Sequence, residues 1–375
     1  MNVDLAPAFW LLLKGALVAA VPLALVACSR APDKHRRLAW LTAFLTLDLI
    51  MFGAFTRLTD SGLGCPDWPG CYGHSNPWSA GEPIRAAESA LPSGPVTLTK
   101  AWIEMLHRYF AMAVGALIVV LMLLAWRRWS KSRQGSPWMA SAVFLAVCVQ
   151  GAFGALTVTM KLQPLIVSLH LLGGVGLLSL LVWLAMRESP APRVDERASA
   201  LRPLALLALG LAVIQVGLGA WVSSNYAVLA CPDFPLCQGQ LLPAADFARG
   251  FSLWRELGRD AGGELIPFSA LVAIHWVHRS FAWLVFAVAG GLVWRSWRLA
   301  GLAAPARLLA LLLVLQFLTG LSTVVFEWPL LLAVLHNGGA AVLVATLVVL
   351  NLRCAQAARQ DRVGEVAAGV VRAHG

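Results

Sequence analysis

Charge is scarce in this sequence. Asp, Glu, Lys and Arg make up 13% of the 375 residues while hydrophobic residues make up 59%, and an ordinary soluble domain carries about twice that charge. The shortage excludes a soluble globular fold and assigns the chain to the membrane class. Acidic residues are scarcer than basic ones, 19 against 29, so the formal net charge is +10. In a soluble protein that excess would suggest nucleic acid, but here the cations divide among loops and no nucleic-acid partner is expected. The first hydrophobic run also lacks the basic start of a signal peptide, with Asp4 ahead of it, and it reads as an extra signal-anchor helix. Leu25-Val26-Ala27-Cys28 resembles a lipoprotein processing site, but cleavage there would expose the following basic segment on the wrong side.

Long apolar runs are abundant. A bilayer-spanning helix needs roughly 20 mainly apolar residues. Nine such runs lie at about 8–28, 38–58, 102–126, 138–159, 165–186, 203–223, 270–294, 305–326 and 330–352. The connections holding Arg30, Lys34, Arg36 and Arg37, then Arg127, Arg128, Lys131 and Arg133, then Arg295, Arg298 and Arg307, and the tail from Arg353, are all basic. The long loops 59–101 and 224–269 are net acidic. Positive charge marks the cytoplasmic side, so both long loops are expected outside, in the periplasm of a Gram-negative cell, with the C-terminus cytoplasmic.

The chain repeats itself. An offset of 166 residues aligns Gly53 with Gly219, Cys65-Pro66-Asp67 with Cys231-Pro232-Asp233, Cys71 with Cys237, Gln150 with Gln316, Gly154 with Gly320 and His170 with His336. An offset of 171 aligns His107-Arg108 with His278-Arg279. Each repeat holds four helices, an even number, so both copies enter the membrane from the same side. The expected fold is all-α: a polytopic membrane protein of two tandem, pseudo-symmetric four-helix transmembrane bundles plus one extra N-terminal helix. The divisions are an N-terminal helix and basic link at 1–37, a first bundle at 38–190, a second at 203–353 and a cytoplasmic tail at 354–375.

Four of the seven cysteines lie in the two outer loops, in CPDWPGC and CPDFPLC. Proline-rich turns bring each pair together, and an outer location permits the disulfides Cys65–Cys71 and Cys231–Cys237. Closing so short a loop contributes about 2 kcal/mol on the chain-entropy account, so each pair reads either as a staple or as a redox element.

Ionisable groups inside a bilayer are costly and usually mark function. His107, His170, His278 and His336 all fall one to two turns inside their helices near the outer face. Two histidines at one level in a four-helix bundle suit axial ligation of a heme iron. Zinc would want further ligands at that depth. His35, His74 and His374 read as solvated. Glu104 precedes His107 by three residues, placing a carboxylate on the ligand face of one bundle, where the other has His275, read as an interfacial residue in preference to a spare ligand. Arg108 and Arg279 follow the ligand histidines, and Arg57 ends the first helix of the first repeat. All three could meet heme propionates or serve as snorkelling anchors.

TRLTDSGLGCPDWPGC, EMLHR around Glu104 and His107, SLHLLGG around His170, HWVHR around His278 and LHNGGA around His336 together resemble the heme A synthase family over roughly residues 38–352. The resemblance implies conversion of a ring methyl of heme O to the formyl group of heme A, with water as the oxygen source. It implies a resident b-type heme on His278 and His336, with Arg279 beside it. It places the substrate heme between His107 and His170, near Arg57 and Arg108, with Glu104 as the catalytic carboxylate. Cys65 and Cys71 would take any redox part, and Cys231–Cys237 would be structural. The implied surroundings are a bacterial inner membrane and its lipid, an electron acceptor, and room for a complex with the heme O-forming farnesyltransferase or a second copy of the chain. The extra first helix departs from the family's eight-helix pattern. Two other readings compete: a two-heme, b-type, quinone-linked electron carrier, which needs equivalent sites, and a membrane thiol-quinone oxidoreductase, which needs no buried histidines.

Overall fold

The structure, a computed structural model, describes residues 6–133 and 137–374, with side chains described as far as residue 360. In chain order the helices are α1 (Ala6–Ala27), α2 (Lys34–Leu58), α3 (Gly81–Ala90), α4 (Leu98–Ser132), α5 (Pro137–Thr159), α6 (Pro164–Arg187), α7 (Arg202–Ser224), α8 (Phe247–Gly250), α9 (Phe268–Ser296), α10 (Ala303–Val325) and α11 (Leu330–His374). A short 3-10 turn at Glu196–Leu201 links the halves. Among the described residues nine of these helices are long and apolar enough to span a bilayer, and no strand forms.

Local chemistry sets the helix ends. Asp33 accepts from Arg36 N–H, Thr97 from Lys100 N–H and Gln163 from Ile166 N–H, each satisfying a donor that the first helical turn leaves without a partner, for about 1 kcal/mol. Pro164 stands at the first turn of α6, where its missing N–H costs nothing. The tight connections α5–α6 and α10–α11 share one device: Lys161 and Leu162 in the first, Glu327 and Trp328 in the second, take positive φ of 48–73°. Leu162 N–H and Trp328 N–H then reach back to the carbonyls of Thr157 and Thr323, closing the helix ends as a Schellman-type cap does.

Helices α2, α4, α5 and α6 pack around one another, as do α7, α9, α10 and α11, and the two bundles meet through α2, α6, α7 and α11. The extra helix α1 lies along α4, where Gly15 gives the backbone of Met112 and Ala113 its close approach. The apolar core is in the half remote from the cysteine loops, where Leu117, Leu121, Leu181, Leu184, Leu292, Leu309 and Leu347 are almost fully buried. The histidines sit just beyond it, toward the loops. Packing thus fixes the helices at one end and leaves the other end available for a ligand.

One expectation changes. His35, read as solvated, is 5% exposed, with Nε2 at 3.3 Å from the Leu121 carbonyl and Nδ1 at 3.7 Å from Glu188, because α2 begins four residues earlier than the apolar run and carries it inside. The segment past residue 353 continues α11 as one helix. His374 falls beyond the described side chains.

Candidate functional site

Each cysteine loop is built on an aspartate. Asp67 accepts from the backbone N–H of Tyr72 (2.6 Å) and Gly73 (2.8 Å), and Asp233 from those of Gln238 and Gly239 (both 2.8 Å). Those donors converge because Tyr72 and Gln238 take φ of 50° and 55° and are followed by Gly73 and Gly239 at 74° and 73°, a region where glycine costs nothing. The Asp233 carboxyl is held below the ordinary carboxylate range, chiefly by the Gly239 N–H. Disulfides join Cys65 to Cys71 and Cys231 to Cys237, and all four cysteines are buried.

An arginine anchors each loop to the helix bearing a candidate ligand. Arg108 Nη1 donates to the carbonyls of Asp67 (3.0 Å), Pro69 (3.3 Å) and Gly70 (2.6 Å). In the other half Arg279 donates to the carbonyls of Asp233 (2.7 Å), Leu236 (3.0 Å) and Cys231 (3.1 Å). The HR dipeptides thus couple the level of each histidine to the cysteine loop above it. In the first half Glu104 adds a second tie: Oε1 pairs with Arg108 Nη2 at 2.5 Å and Oε2 accepts from Cys65 N–H at 2.8 Å. The carboxylate and guanidinium are almost fully buried, so they act on each other with little screening. His275 occupies the corresponding place in the second half. Read from sequence as interfacial, it is 4% exposed and lines the cavity holding His278 and His336, because the cysteine loop covers this end of α9.

Each of the four expected ligand histidines rests against a glycine of a neighbouring helix. A Cβ at Gly154, Gly219 or Gly320 would come within 3.0–3.3 Å of Cε1 of His170, His278 or His336, and at Gly53 it would lie 3.0 Å from Nε2 of His107. The ring of His107 is therefore turned differently from the other three. A second glycine serves the last helix of each half: Gly173 and Gly339 make room for Gln150 and Gln316, which donate to the carbonyls of His170 (2.7 Å) and His336 (3.0 Å). This accounts for the glycine three residues after each of those histidines.

His278 and His336 line one cavity together with Arg279, Phe234, Phe286, Phe317 and Trp283. His107 and His170 likewise lie within electrostatic reach of each other. Among the described residues no group of three or more His, Cys, Asp or Glu side chains converges as bare-metal ligands would. A porphyrin brings four nitrogen donors of its own and needs only the two axial ones. Apolar and aromatic walls, a cation at the rim and paired imidazoles spaced by glycine fit such a group.

Arg57 lies elsewhere than at a ligand histidine. Its Nη2 donates to the Ser223 carbonyl (2.8 Å), and its guanidinium stacks 3.9 Å from the ring of Tyr226, whose hydroxyl donates to Asp60 (2.7 Å). Sequence reasoning missed two residues. Gln215 Nε2 lies 3.1 Å from His278 Nδ1 and Thr319 Oγ1 lies 3.0 Å from His336 Nδ1. The signal was a break in the repeat, since Leu49 and Phe153 hold the corresponding places.

Residues 36–348 match the profile of the cytochrome oxidase assembly protein family, COX15-CtaA. The chain is 40% identical over 320 residues to a protein of Shewanella oneidensis named heme A synthase, covering 84% of this chain and 96% of that one. It is 32% identical over 343 residues to the heme A synthase of a Caulobacter species, covering 84% and 95%, and 29% identical over 315 residues to that of Halalkalibacterium halodurans, covering 82% and 92%. With four histidines in matched sets beneath two arginine-anchored cysteine loops, and a match over most of its length, the chain belongs to the heme A synthase family.

Proposed function

We propose that the chain is an oxidoreductase that converts heme O to heme A in a bacterial inner membrane, with the substrate in the first bundle (38–190) and a resident b-type heme in the second (203–353). The cysteine loops and both heme levels would face the periplasm, in keeping with the basic connections at the opposite ends of the helices. The observation that carries the reading is the asymmetry between two otherwise matched sites: a buried Glu104–Arg108 pair above His107, and His275 above His278.

The reaction takes a ring methyl to an aldehyde. With water as the oxygen source the balance is one methyl plus one water giving one formyl group, four protons and four electrons, the electrons leaving to an acceptor outside the chain. A b-type heme between His278 and His336 supplies one-electron redox chemistry when bound. His107 and His170 would hold the substrate's iron, and Arg279, which lines the second cavity while tied to its loop, would lend a cation to the carboxylates of the resident heme, whereas Arg57 is engaged at the seam between the halves. Arg108 has its hydrogen bonds directed to the loop and to Glu104, so its part is to hold the carboxylate in place. Both oxygens of Glu104 are engaged, which favours a fixed negative charge that steadies positive charge developing at the methyl carbon over a mobile base. Cys65 and Cys71 are fully buried within this loop, and a redox part for them needs the loop to open.

The test is spectroscopic. Detergent-purified protein should contain heme B with some heme O or A by extraction and chromatography, and His278→Ala should lose the b-type signal. Heme B alone at two equivalent sites would support an electron carrier, and protein without any heme would leave the cysteine chemistry as the function.

A further inference from the structure

We infer that Gln215 and Thr319 are positioning residues that make the second site a permanent one, and that Leu49 and Phe153 in their places leave the first site exchangeable. The inference rests on the proposed function and concerns how two sites descended from one repeat come to hold a cofactor and a substrate.

A histidine binds iron through one ring nitrogen, and the group bonded to the other nitrogen fixes its tautomer and orientation. Thr319 Oγ1 lies 2.7 Å from the Leu315 carbonyl and 3.0 Å from His336 Nδ1. A hydroxyl has one proton. With that proton on the Leu315 carbonyl, the oxygen can only accept from the ring, so Nδ1 carries the hydrogen and Nε2 keeps its lone pair for iron. The ring is also held from its backbone side by Gln316, which donates to the His336 carbonyl.

His278 has a matching partner from a different helix. Gln215 lies one turn before Gly219 on α7, and its amide nitrogen is 3.1 Å from both Nδ1 and the carbonyl of His278, while its Oε1 is buried with no partner. With the amide turned by half a turn, that oxygen accepts from Nδ1–H and leaves Nε2 for iron, the same tautomer that Thr319 sets at His336.

The first half has neither partner. Leu49 and Phe153 side chains cannot hydrogen-bond, His170 Nδ1 is buried without a partner, and among the described residues the His107 ring makes no side-chain hydrogen bond and meets Phe52 edge-on at 5.9 Å between ring centroids. The ring of His107 meets Gly53 with Nε2, where the other three histidines meet their glycines with Cε1. An untethered imidazole can turn away from iron at little cost. A site that must accept one porphyrin and release another needs that freedom.

Partners of this kind typically change metal affinity by roughly 10–100-fold. Thr319→Val, which keeps the shape and removes the hydroxyl, and Gln215→Leu should each speed transfer of the second-site heme to excess apomyoglobin by about that factor. Each should also raise the midpoint potential of the b-type signal, because loss of the Nδ1–H acceptor weakens the imidazole as a donor to ferric iron. Thr319→Ser should restore wild-type behaviour, and Phe153→Thr should slow release from the first site. His336→Ala serves as the reference. If it abolishes the b-type signal while Thr319→Val and Gln215→Leu leave release rate and potential unchanged, the inference is wrong and the proposed function stands. If His336→Ala keeps that signal, the ligand assignment fails and the inference falls with it.

Discussion

Glu104 links chemistry and architecture, and two substitutions separate them. Glu104→Ala removes the acceptor of Cys65 N–H and leaves Arg108 Nη2 facing no carboxylate in a place where both side chains are under a tenth exposed. Breaking a buried pair by deleting one partner costs about 3–5 kcal/mol. The three loop carbonyls that Arg108 keeps put this case near the lower end, about 3 kcal/mol. Glu104→Gln retains one acceptor oxygen and the volume but loses the charge, and the loss of one charge-assisted hydrogen bond costs about 1.5–3 kcal/mol. The assays are thermal unfolding of purified protein, second-site heme content and heme A formation in cells. Glu104→Gln should fold, keep the b-type signal and lose heme A formation, whereas Glu104→Ala should also melt earlier. Heme A formation at the wild-type rate in Glu104→Gln would refute the electrostatic role, and an unchanged melting temperature in Glu104→Ala would refute the account of the loop anchor.

Other expectations concern the ligand and the loop. Gly219→Ala would place a methyl carbon 3.0 Å from the His278 ring and should reduce bound heme in the second half, whereas Gly115→Ala, with nothing within 4 Å of the added carbon, should leave it unchanged when heme per protein is measured. The carboxyl of Asp233 is depressed in the folded loop, so its contribution is full above the ordinary carboxylate range and is lost as pH falls through the depressed value. Reduction of Cys231–Cys237 by a phosphine should therefore quicken in acid for wild type, while Asp233→Asn should be fast at every pH; a wild-type rate flat with pH would count against the Asp233 turn.

The spans were legible because one physical requirement, an apolar length sufficient for a bilayer, leaves little freedom, and most helix ends moved by only a few residues, whereas α11 runs on well past its apolar stretch to His374. The repeat made the four histidines legible too, and each fell against a glycine that the same alignment had paired. His35 was misread because α2 starts before its apolar run, and His275 because depth along a helix can be counted whereas the loop that covers a residue cannot. The partners of Arg108 and Glu104 were hidden likewise, since nothing in EMLHR says that the loop of Cys65 folds down onto it. Gln215 and Thr319 were visible only as mismatches, and a mismatch acquires meaning once the group across from it is known.

Two contacts join residues one full repeat apart in the chain: Arg57 with the Ser223 carbonyl, and Asp60 with the Tyr226 hydroxyl, each separated by 166 positions. Residues that correspond to one another and also touch must lie on the line relating the two halves. In a dimer of identical subunits every residue on such a line faces its own twin, so an arginine there would face an arginine and an aspartate an aspartate. Joining both halves in one polypeptide lifts that restriction, and here a cation meets a carbonyl and an aromatic ring while a carboxylate meets a phenol. The seam is thus a place where one half is free to differ from the other, and two sites with different tasks, as proposed above, would need that freedom.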